Sequence, residues 1–280
     1  MKLLTQWARL RLIAFSALLL NALTAAAAPA PRIVSLSGTI SEIICDLGRQ
    51  SQLVGVDVTS TYPAALEKLP KVGHSRNISA EGVLAQRPTL VVGTTESLKP
   101  EVAAQLKSAG VRVELFRQTY SVEGTKQLIK DVAAAFGASA EVPTLLKKLD
   151  AQLTQVHKPT KAPKVLFIYA RGTGTMMVAG QGTQVEKIIQ LAGGQNAASG
   201  FADFKPLTPE ALVAANPDVL LLFDTGLSSL GGKAGLLQVP GIAQTTAGRT
   251  GRVVEMDGQL LIGFGPRLGL AASELAKKIQ

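Results

Sequence analysis

One segment of the chain carries the side chains best suited to bind a ligand that contains a metal. Residues 71–79 read KVGHSRNIS, so His74 and Arg76 stand two positions apart, just before a helix that begins near Glu81. Imidazole is a good ligand for iron, and a guanidinium can pair with a carboxylate or reach the same axial position. Most single histidines are solvated or packed in a core, but a loop position beside an arginine favours a binding role for His74.

Three tyrosines are the alternative ligands if His74 does not bind. Tyr62 precedes Pro63 in a pattern typical of a helix start, which favours a packing role. Tyr169 ends an aliphatic strand in the second half of the chain and is the better candidate for a cleft. Tyr120 is the third candidate.

The sequence lacks the motifs of the common hydrolases and nucleotide-binding enzymes. It contains no G-x-S-x-G elbow, no G-x-x-x-x-G-K-[ST] phosphate loop and no H-E-x-x-H helix. Gly172-Thr173-Gly174 follows a strand, but the rest of the dinucleotide motif is missing, so we interpret it as a turn. We expect Cys45 to be a small buried hydrophobe and His157 to be a cation at a helix end. A binding protein is therefore favoured, and a secreted α/β enzyme is the weaker alternative.

The charge of the chain favours anionic ligands or surfaces. It carries 29 Lys and Arg against 20 Asp and Glu, a formal net charge of +9. No block of basic residues alternates with aromatic side chains, which argues against nucleic-acid binding.

The first residues predict secretion. A basic start leads into the uncharged residues 12–20, and alanines at 26–28 supply a cleavage site, as in a signal peptide. Asn21 interrupts the apolar run, which is short for a membrane-spanning helix. No cysteine near the cleavage site could carry a lipid anchor. We therefore expect residues 1–28 to be removed and the mature protein to be soluble and periplasmic.

Short aliphatic runs alternate with amphipathic stretches in both halves of the chain, which is the pattern of α/β layers with mostly parallel strands. Residues 79–92 (SAEGVLAQRPTLVV) match residues 208–221 (TPEALVAANPDVLL) without a gap. In both copies a Ser or Thr caps a short helix, an acid lies in its first turn, and a proline precedes a buried strand. An acid also begins a predicted helix at Glu42 and at Glu186. The repeat predicts two similar, Rossmann-like lobes that face each other.

Leucines at helical spacing in residues 139–157 predict one long helix that joins the lobes, and two closely spaced prolines then end it. We expect an N-terminal lobe at 29–137, the linking helix and connector at 138–162, and a C-terminal lobe at 163–280. A helical connector permits only small opening and closing. A ligand would lie in the interlobe cleft near the strand ends.

Five segments resemble the periplasmic haem-binding proteins of bacterial haem-uptake ABC importers, and together they cover essentially the whole chain after the signal. They are IVSL at 33–36 followed by Glu42, LPKVGHSR at 69–76, AEGVLAQRP at 80–88, MVAG at 177–180 and GFGPR at 263–267. The two-lobed part is shared with cobalamin and siderophore binders, whereas residues 73–76 and 263–267 point to haem. The resemblance implies a monomeric carrier that binds haem and delivers it to the permease and ATPase subunits of an importer. Cobalamin or a ferric siderophore is the alternative cargo.

By this resemblance, His74 stands where family members usually present a tyrosine as axial iron ligand, with an arginine at the place of Arg76. Tyrosinate suits ferric iron, whereas imidazole binds both oxidation states, so the change should alter redox preference while capture persists. Some relatives add a histidine from the second lobe, but the corresponding residues 169–172 here read YARG. We expect Arg171 to pair with a propionate or to cover the distal face of haem.

The remaining candidates have structural alternatives. Met176 and Met177 are expected to pack against the macrocycle or in the core of the lobe. Arg267, at the start of the last helix, is expected to reach a propionate or to lie on the helix surface. Glu81 and Glu210 occupy matching positions in the repeat, and the resemblance implies that they dock onto arginines of the permease, one per lobe. Each would also complement its own helix dipole.

Overall fold

The computed structural model describes residues 30–174 and 176–280, so the predicted signal peptide at 1–28 lies outside the described residues. Residues 32–280 pack together as one unit that is built on two separate β-sheets. Within the described ranges, no helix has the length and apolar character needed to cross a bilayer.

The first sheet belongs to the N-terminal lobe, and its strands are buried aliphatic runs. The elements are β1 (Ile33–Ser35), α1 (Gly38–Asp46), β2 (Leu53–Val56), α2 (Ala80–Leu84), β3 (Leu90–Thr94), α3 (Pro100–Ser108), β4 (Arg112–Phe116) and α4 (Val122–Ala135), with single 3-10 turns at Gln50–Gln52 and Ala64–Lys68. All pairs are parallel, and the strand order is β2-β1-β3-β4.

The second sheet is larger and mixed. Its lobe is made of β5 (Lys164–Ala170), β6 (Met176–Ala179), α6 (Gln184–Leu191), β7 (Gln195–Asn196), β8 (Phe204–Pro206), α7 (Pro209–Ala215), β9 (Val219–Phe223), α8 (Asp224–Ser229), α9 (Gly232–Leu237), α10 (Thr246–Thr250), β10 (Val253–Met256), α11 (Gly258–Ile262) and α12 (Leu268–Lys278), and the helix α5 (Val142–Leu153) precedes it. Strands β10-β9-β5 are parallel, whereas β6 and β8 add antiparallel pairs, and β7 pairs with the start of β5.

The internal repeat is visible in both topology and backbone. The parallel order β7-β5-β9-β10 reproduces β2-β1-β3-β4. Ser79 and Thr208 cap α2 and α7 by accepting bonds from backbone N–H groups three residues on. Arg87 and Asn216, at matching positions, both adopt positive φ, at 48° and 38°. The predicted fold of two mostly parallel α/β lobes is confirmed.

Helix α5 lies within the segment predicted to link the lobes, but it is shorter than the expected helix at 139–157. It buries Leu145 and Leu149 and packs against α4 and α12. A Cβ atom at Gly269 of α12 would lie 2.5 Å from Cβ of Gln152, so this glycine permits the close approach of the two helices.

One hydrophobic core runs through both lobes. It joins buried side chains from α1 and α4 with others from β5 and α12. Helix α1 begins earlier than expected because Ser37 caps it, so Glu42 lies in mid-helix and is 4% exposed. The expectation that Glu42 starts a helix is therefore wrong, whereas Glu186 does lie in the first turn of α6.

Candidate functional site

The carboxyl ends of the two sheets line a cleft between the lobes. The lining residues follow β1, β2 and β4 on one side and β5, β9 and β10 on the other. Side chains at the ends of parallel strands commonly bind ligands in α/β proteins. The cavity measures about 950 Å³, near the upper end of the range of roughly 300–1,000 Å³ for small-molecule sites. A cavity of this volume can hold a large small-molecule ligand.

His74 lines the cleft from the N-terminal lobe and is half-buried. Its loop is held by the N–H of Val58, which donates to the carbonyl of Gly73 at 3.0 Å, and by Oδ1 of Asn77, which accepts from the N–H of His74 at 2.9 Å. Nδ1 of the imidazole lies 3.2 Å from Oγ of Ser75. Since a hydrogen bond on one ring nitrogen orients the ring for metal binding by the other, Nε2 is the nitrogen that a metal would use.

Arg76 does not join His74 at the cavity surface. Its side chain is exposed and is not among the residues that line the cleft, and only its backbone N–H approaches Nδ1 of His74, at 3.4 Å.

Tyr169 and Arg171 line the cleft from the C-terminal lobe. The ring of Tyr169 stands edge-on to Phe223, with centroids 6.2 Å apart. Cζ of Arg171 lies 5.7 Å from the Tyr169 ring centroid, and the N–H of Gly172 donates to Oγ of Ser229 at 2.9 Å. The exposed guanidinium has no salt bridge within the described part of the chain. It is therefore available to an anionic group of a ligand.

Met176 and Met177 lie away from the lining of the cleft. Both belong to β6, where Met177 pairs with Tyr169 on one side and Pro206 on the other. Met176 packs against the hydrophobic core of the C-terminal lobe. Of the two expected roles, the structure places Met176 in the core.

Arg267 lies beneath the cleft, where the two lobes meet. Its Nε and Nη2 donate to the two carboxylate oxygens of Glu42 at 3.0 and 2.9 Å, and the side chains are 13% and 5% exposed. Tyr62 stacks on the guanidinium, with Cζ 3.6 Å from the ring centroid. Burial raises the pKa of the Glu42 carboxyl, and Arg267 offsets part of that effect. Arg267 is neither a surface residue nor part of the cavity lining, so the structure does not place it near a bound propionate.

Gln259 is a lining residue that the sequence analysis missed. Its Oε1 accepts from Thr61 N, Thr61 Oγ1 and Tyr62 N at 2.8, 2.9 and 2.9 Å. Its Nε2 donates to Gly38 O at 3.0 Å and to Oε2 of Glu42 at 3.4 Å. A single glutamine in a C-terminal stretch gives no sequence signal of such a role, because all its partners lie about 200 residues away.

The GFGPR segment completes the contact between lobes, which we call the interlobe seam: residues 259–267 of the C-terminal lobe against residues 38–42, 61–62 and 118–125 of the N-terminal lobe. The carbonyl of Gly263 accepts from Thr39 Oγ1 at 2.6 Å and from Gln118 Nε2 at 2.7 Å. Phe264 has a φ of 48°, and its ring meets Tyr120 edge-on. In this structure, the segment joins the lobes.

The three alternative tyrosines differ in their suitability as ligands. Tyr62 stacks on Arg267 and does not line the cleft. Tyr120 does line it, but burial, together with the neighbouring Glu96, raises the pKa of its hydroxyl and so disfavours tyrosinate. Tyr169 therefore remains the best placed of the three.

Cys45 lies on α1 beside the seam and packs partly against the shared core. Burial, with smaller contributions from Asp46 and Glu42, raises the pKa of its thiol to about 12. The thiol is therefore protonated at neutral pH, as expected of a small hydrophobe.

A model of the family described as periplasmic binding protein matches residues 33–260 of the chain. The chain belongs to this family. Family members are binding proteins of transport systems rather than enzymes.

Two solved structures are similar to the chain over most of its length. The periplasmic heme-binding protein RhuT from Roseiflexus sp. RS-1, in apo form, is 43% identical, with a TM-score of 0.86 over 89% of this chain and 98% of that one. The periplasmic heme-binding protein BhuT, in complex with two hemes, is 40% identical, with a TM-score of 0.83 over 89% of this chain and 97% of that one. A vitamin B12-binding protein of Vibrio vulnificus is 24% identical over 94% of both chains.

The two acids of the repeat are exposed on the outside of their lobes. Glu81 lies in the first turn of α2 and Glu210 in the first turn of α7, each after a capped start. Both are accessible to a partner, and both also lie where a negative charge complements the helix dipole.

Proposed function

We propose that this protein binds haem in its interlobe cleft, in the periplasm, and delivers it to an ABC importer. The proposal is supported by the heme-binding proteins to which the chain is 43% and 40% identical over 89% of its length. It is also supported by the chemistry of the cleft, which offers an imidazole, a phenol and a guanidinium around a cavity of about 950 Å³.

The observation that carries the proposal is that His74 of one lobe and the pair Tyr169 and Arg171 of the other line a single cavity. Haem iron is already held by four porphyrin nitrogens, so the protein needs to supply only one or two axial ligands.

Each residue then has a distinct role. Nε2 of His74 binds the iron, and hydrogen bonding of Nδ1 to Ser75 orients the ring. Tyr169 lines the cavity from the other lobe, and its hydroxyl would be available as a second ligand of the iron. Arg171 pairs with a propionate, because the guanidinium lies at the cavity wall and forms no salt bridge with an acid among residues 30–174 and 176–280.

A spectroscopic titration of the mature protein with ferric haem tests this assignment. We expect a Soret band that saturates with added haem, and a weaker affinity with a shifted band in His74→Ala. His157→Ala is the matched control, because His157 is exposed and lies outside the cleft. An unchanged spectrum and affinity in His74→Ala would show that His74 is not the axial ligand.

Cobalamin is the second candidate cargo, because one vitamin B12-binding protein is 24% identical to the chain over 94% of its length. Calorimetry with haem and with cobalamin on the same protein sample separates the two. Binding of cobalamin without binding of haem would replace the proposed cargo and leave the transport role intact.

Delivery requires a docking surface for the permease, and we assign it to Glu81 and Glu210, one on each lobe. We expect the monomeric, haem-loaded protein to stimulate ATP hydrolysis by the reconstituted importer, and Glu81→Lys with Glu210→Lys to abolish this effect. Glu101→Lys is the control, because Glu101 is also an exposed acid in the first turn of a helix. Equal losses in the double variant and the control would contradict the assignment.

A further inference from the structure

Gln259 is bonded to two separate segments of the opposite lobe. Its Oε1 accepts three hydrogen bonds from Thr61 and Tyr62, and its Nε2 reaches Gly38 and Glu42. Thr61 and Tyr62 belong to the loop after β2, whereas Gly38 and Glu42 belong to α1. One side chain of the C-terminal lobe therefore fixes both segments of the N-terminal lobe at once.

The loop after β2 also holds the loop of His74. Val58, which lies between β2 and Thr61, donates its N–H to the carbonyl of Gly73 at 3.0 Å. Gly73 precedes His74 directly and has a φ of 113°, a backbone conformation that glycine adopts without strain. A continuous path of hydrogen bonds and covalent bonds thus joins Gln259 to the backbone of His74.

Glu42, which is paired with Arg267, also accepts a hydrogen bond from Gln259. The carboxylate of Glu42 accepts two hydrogen bonds from Arg267 and one from Gln259, so these two side chains donate to the same carboxylate. Gln259 itself lines the cleft. We call Gln259, Glu42 and Arg267 the interlobe clamp.

We propose that Gln259 is a positioning residue that fixes the gap between the His74 loop and the C-terminal wall of the cleft before any ligand binds. This inference rests on the proposed function only for its consequence, namely that the gap suits a haem. A separation of the lobes at this point would break five hydrogen bonds of one side chain, two of which go to the buried residues Gly38 and Glu42. Gln259 therefore holds the two walls of the cleft at a fixed separation in the ligand-free protein.

Distance measurements on the ligand-free protein test the clamp independently of its cargo. Spin labels are attached to Lys107→Cys on α3 and Lys233→Cys on α9, both exposed, in a Cys45→Ala background. Double electron–electron resonance should give one narrow distance in the parent. Gln259→Ala should broaden the distribution at least about twofold, since loss of the bonds frees the lobes to move.

Two further variants make the result specific. Gln259→Met keeps the size of the side chain and removes its hydrogen bonds, so it should broaden the distribution as Gln259→Ala does, and it replaces that variant if the smaller side chain prevents folding. Gln105→Ala, on the exposed face of α3, should leave the distribution unchanged. A distribution of parental width in the folded Gln259 variants would overturn the clamp.

Haem titration of the same variants tests the consequence. Gln259→Met should bind haem about tenfold more weakly and give a mixture of iron spin states in the visible spectrum, because His74 no longer holds one position. Unchanged affinity and spectrum, with a broadened distance distribution, would overturn the positioning role. If the parent bound no haem but the distances responded as expected, the proposed cargo would fail and the clamp would stand.

Discussion

Arg171 and Arg267 lie in two regions of the molecule, the cleft and the seam beneath it, that engage a guanidinium in opposite ways. Arg171 is exposed at the cavity wall, and its guanidinium lies beside the ring of Tyr169. Arg267 is 13% exposed, bonded to both oxygens of Glu42 and covered by Tyr62. Arg171 can exchange bound water for the carboxylate of a ligand at small cost. Arg267 is already paired with the carboxylate of Glu42 inside the protein.

The same contrast separates His74 from Gln259. Both line the cavity, but the side-chain hydrogen bonds of Gln259 all run to the other lobe, whereas the imidazole of His74 is held through Nδ1 by its own loop. Polar groups whose partners all lie within the protein stabilise it, and those with an unused ligating atom can bind a ligand. Substitutions in the two regions should therefore affect different measurements.

The largest effect is expected at the seam. Arg267→Met should lower the free energy of unfolding by about 3–5 kcal/mol, because it leaves the buried Glu42 carboxylate without its partner. Arg171→Met should change it by less than about 0.5 kcal/mol. Denaturant titration of both variants checks the contrast, and equal losses would show that the two arginines are not in different environments.

A double substitution sharpens this comparison. Glu42→Leu combined with Arg267→Met removes both buried charges, and we expect it to regain at least about 2 kcal/mol relative to Arg267→Met alone. If the double variant were no more stable than Arg267→Met, the lost stability would come from the packing of Tyr62 on the guanidinium rather than from the unpaired Glu42 carboxylate.

The next effect concerns ligand affinity in the cleft. Arg171→Met should weaken haem binding by about 10- to 100-fold, as expected for the loss of one hydrogen bond to a charged group. Haem dimethyl ester, which has no free carboxylates, should bind the parent and the variant equally. Fluorescence or absorbance titration measures both ligands, with Lys107→Met as an exposed control. A larger effect of the variant on the ester than on haem would exclude pairing with a propionate.

A smaller effect distinguishes the two copies of the repeat. Arg87 and Asn216 both have positive φ, but Oδ1 of Asn216 accepts from Thr246 N at 2.8 Å and Thr246 Oγ1 at 3.1 Å, and the side chain of Arg87 is exposed. Arg87→Gly should therefore stabilise the fold by about 0.5–1 kcal/mol by removing backbone strain. Asn216→Gly should destabilise it by about 1 kcal/mol through lost hydrogen bonds. Thermal unfolding shows whether each variant is more or less stable than the parent. A change of stability in the same direction in both variants would contradict the proposed difference between the two positions.

The smallest effect is expected for Tyr120→Phe. Burial, together with Glu96, raises the pKa of the Tyr120 hydroxyl, which disfavours loss of the proton that binding of iron as tyrosinate requires. We expect haem affinity within about twofold of the parent and an unchanged Soret band, whereas Tyr169→Phe should shift it. A shift of the Soret band in Tyr120→Phe but not in Tyr169→Phe would identify Tyr120 as the second iron ligand.

The fold and part of the site could be predicted from local patterns. The gapless match of residues 79–92 to 208–221 predicted two similar lobes, and the strand ends placed the cleft. The seam could not be predicted in this way. Glu42 and Arg267 are 225 residues apart, and a mid-helix glutamate beside aliphatic residues looks like the start of an amphipathic helix. Only the packing of α1 against the start of α12 makes them partners, and no spacing in one sequence encodes that contact.

The hydrophobic core shared by α1, α4, β5 and α12 has a consequence for dissecting the protein. A truncation after α4 or before β5 would expose the apolar faces that these elements bury against each other, so we expect that neither half folds on its own. Heating should produce a single cooperative unfolding transition. A fusion of one lobe to another protein would need that protein to supply an apolar surface in place of the missing lobe.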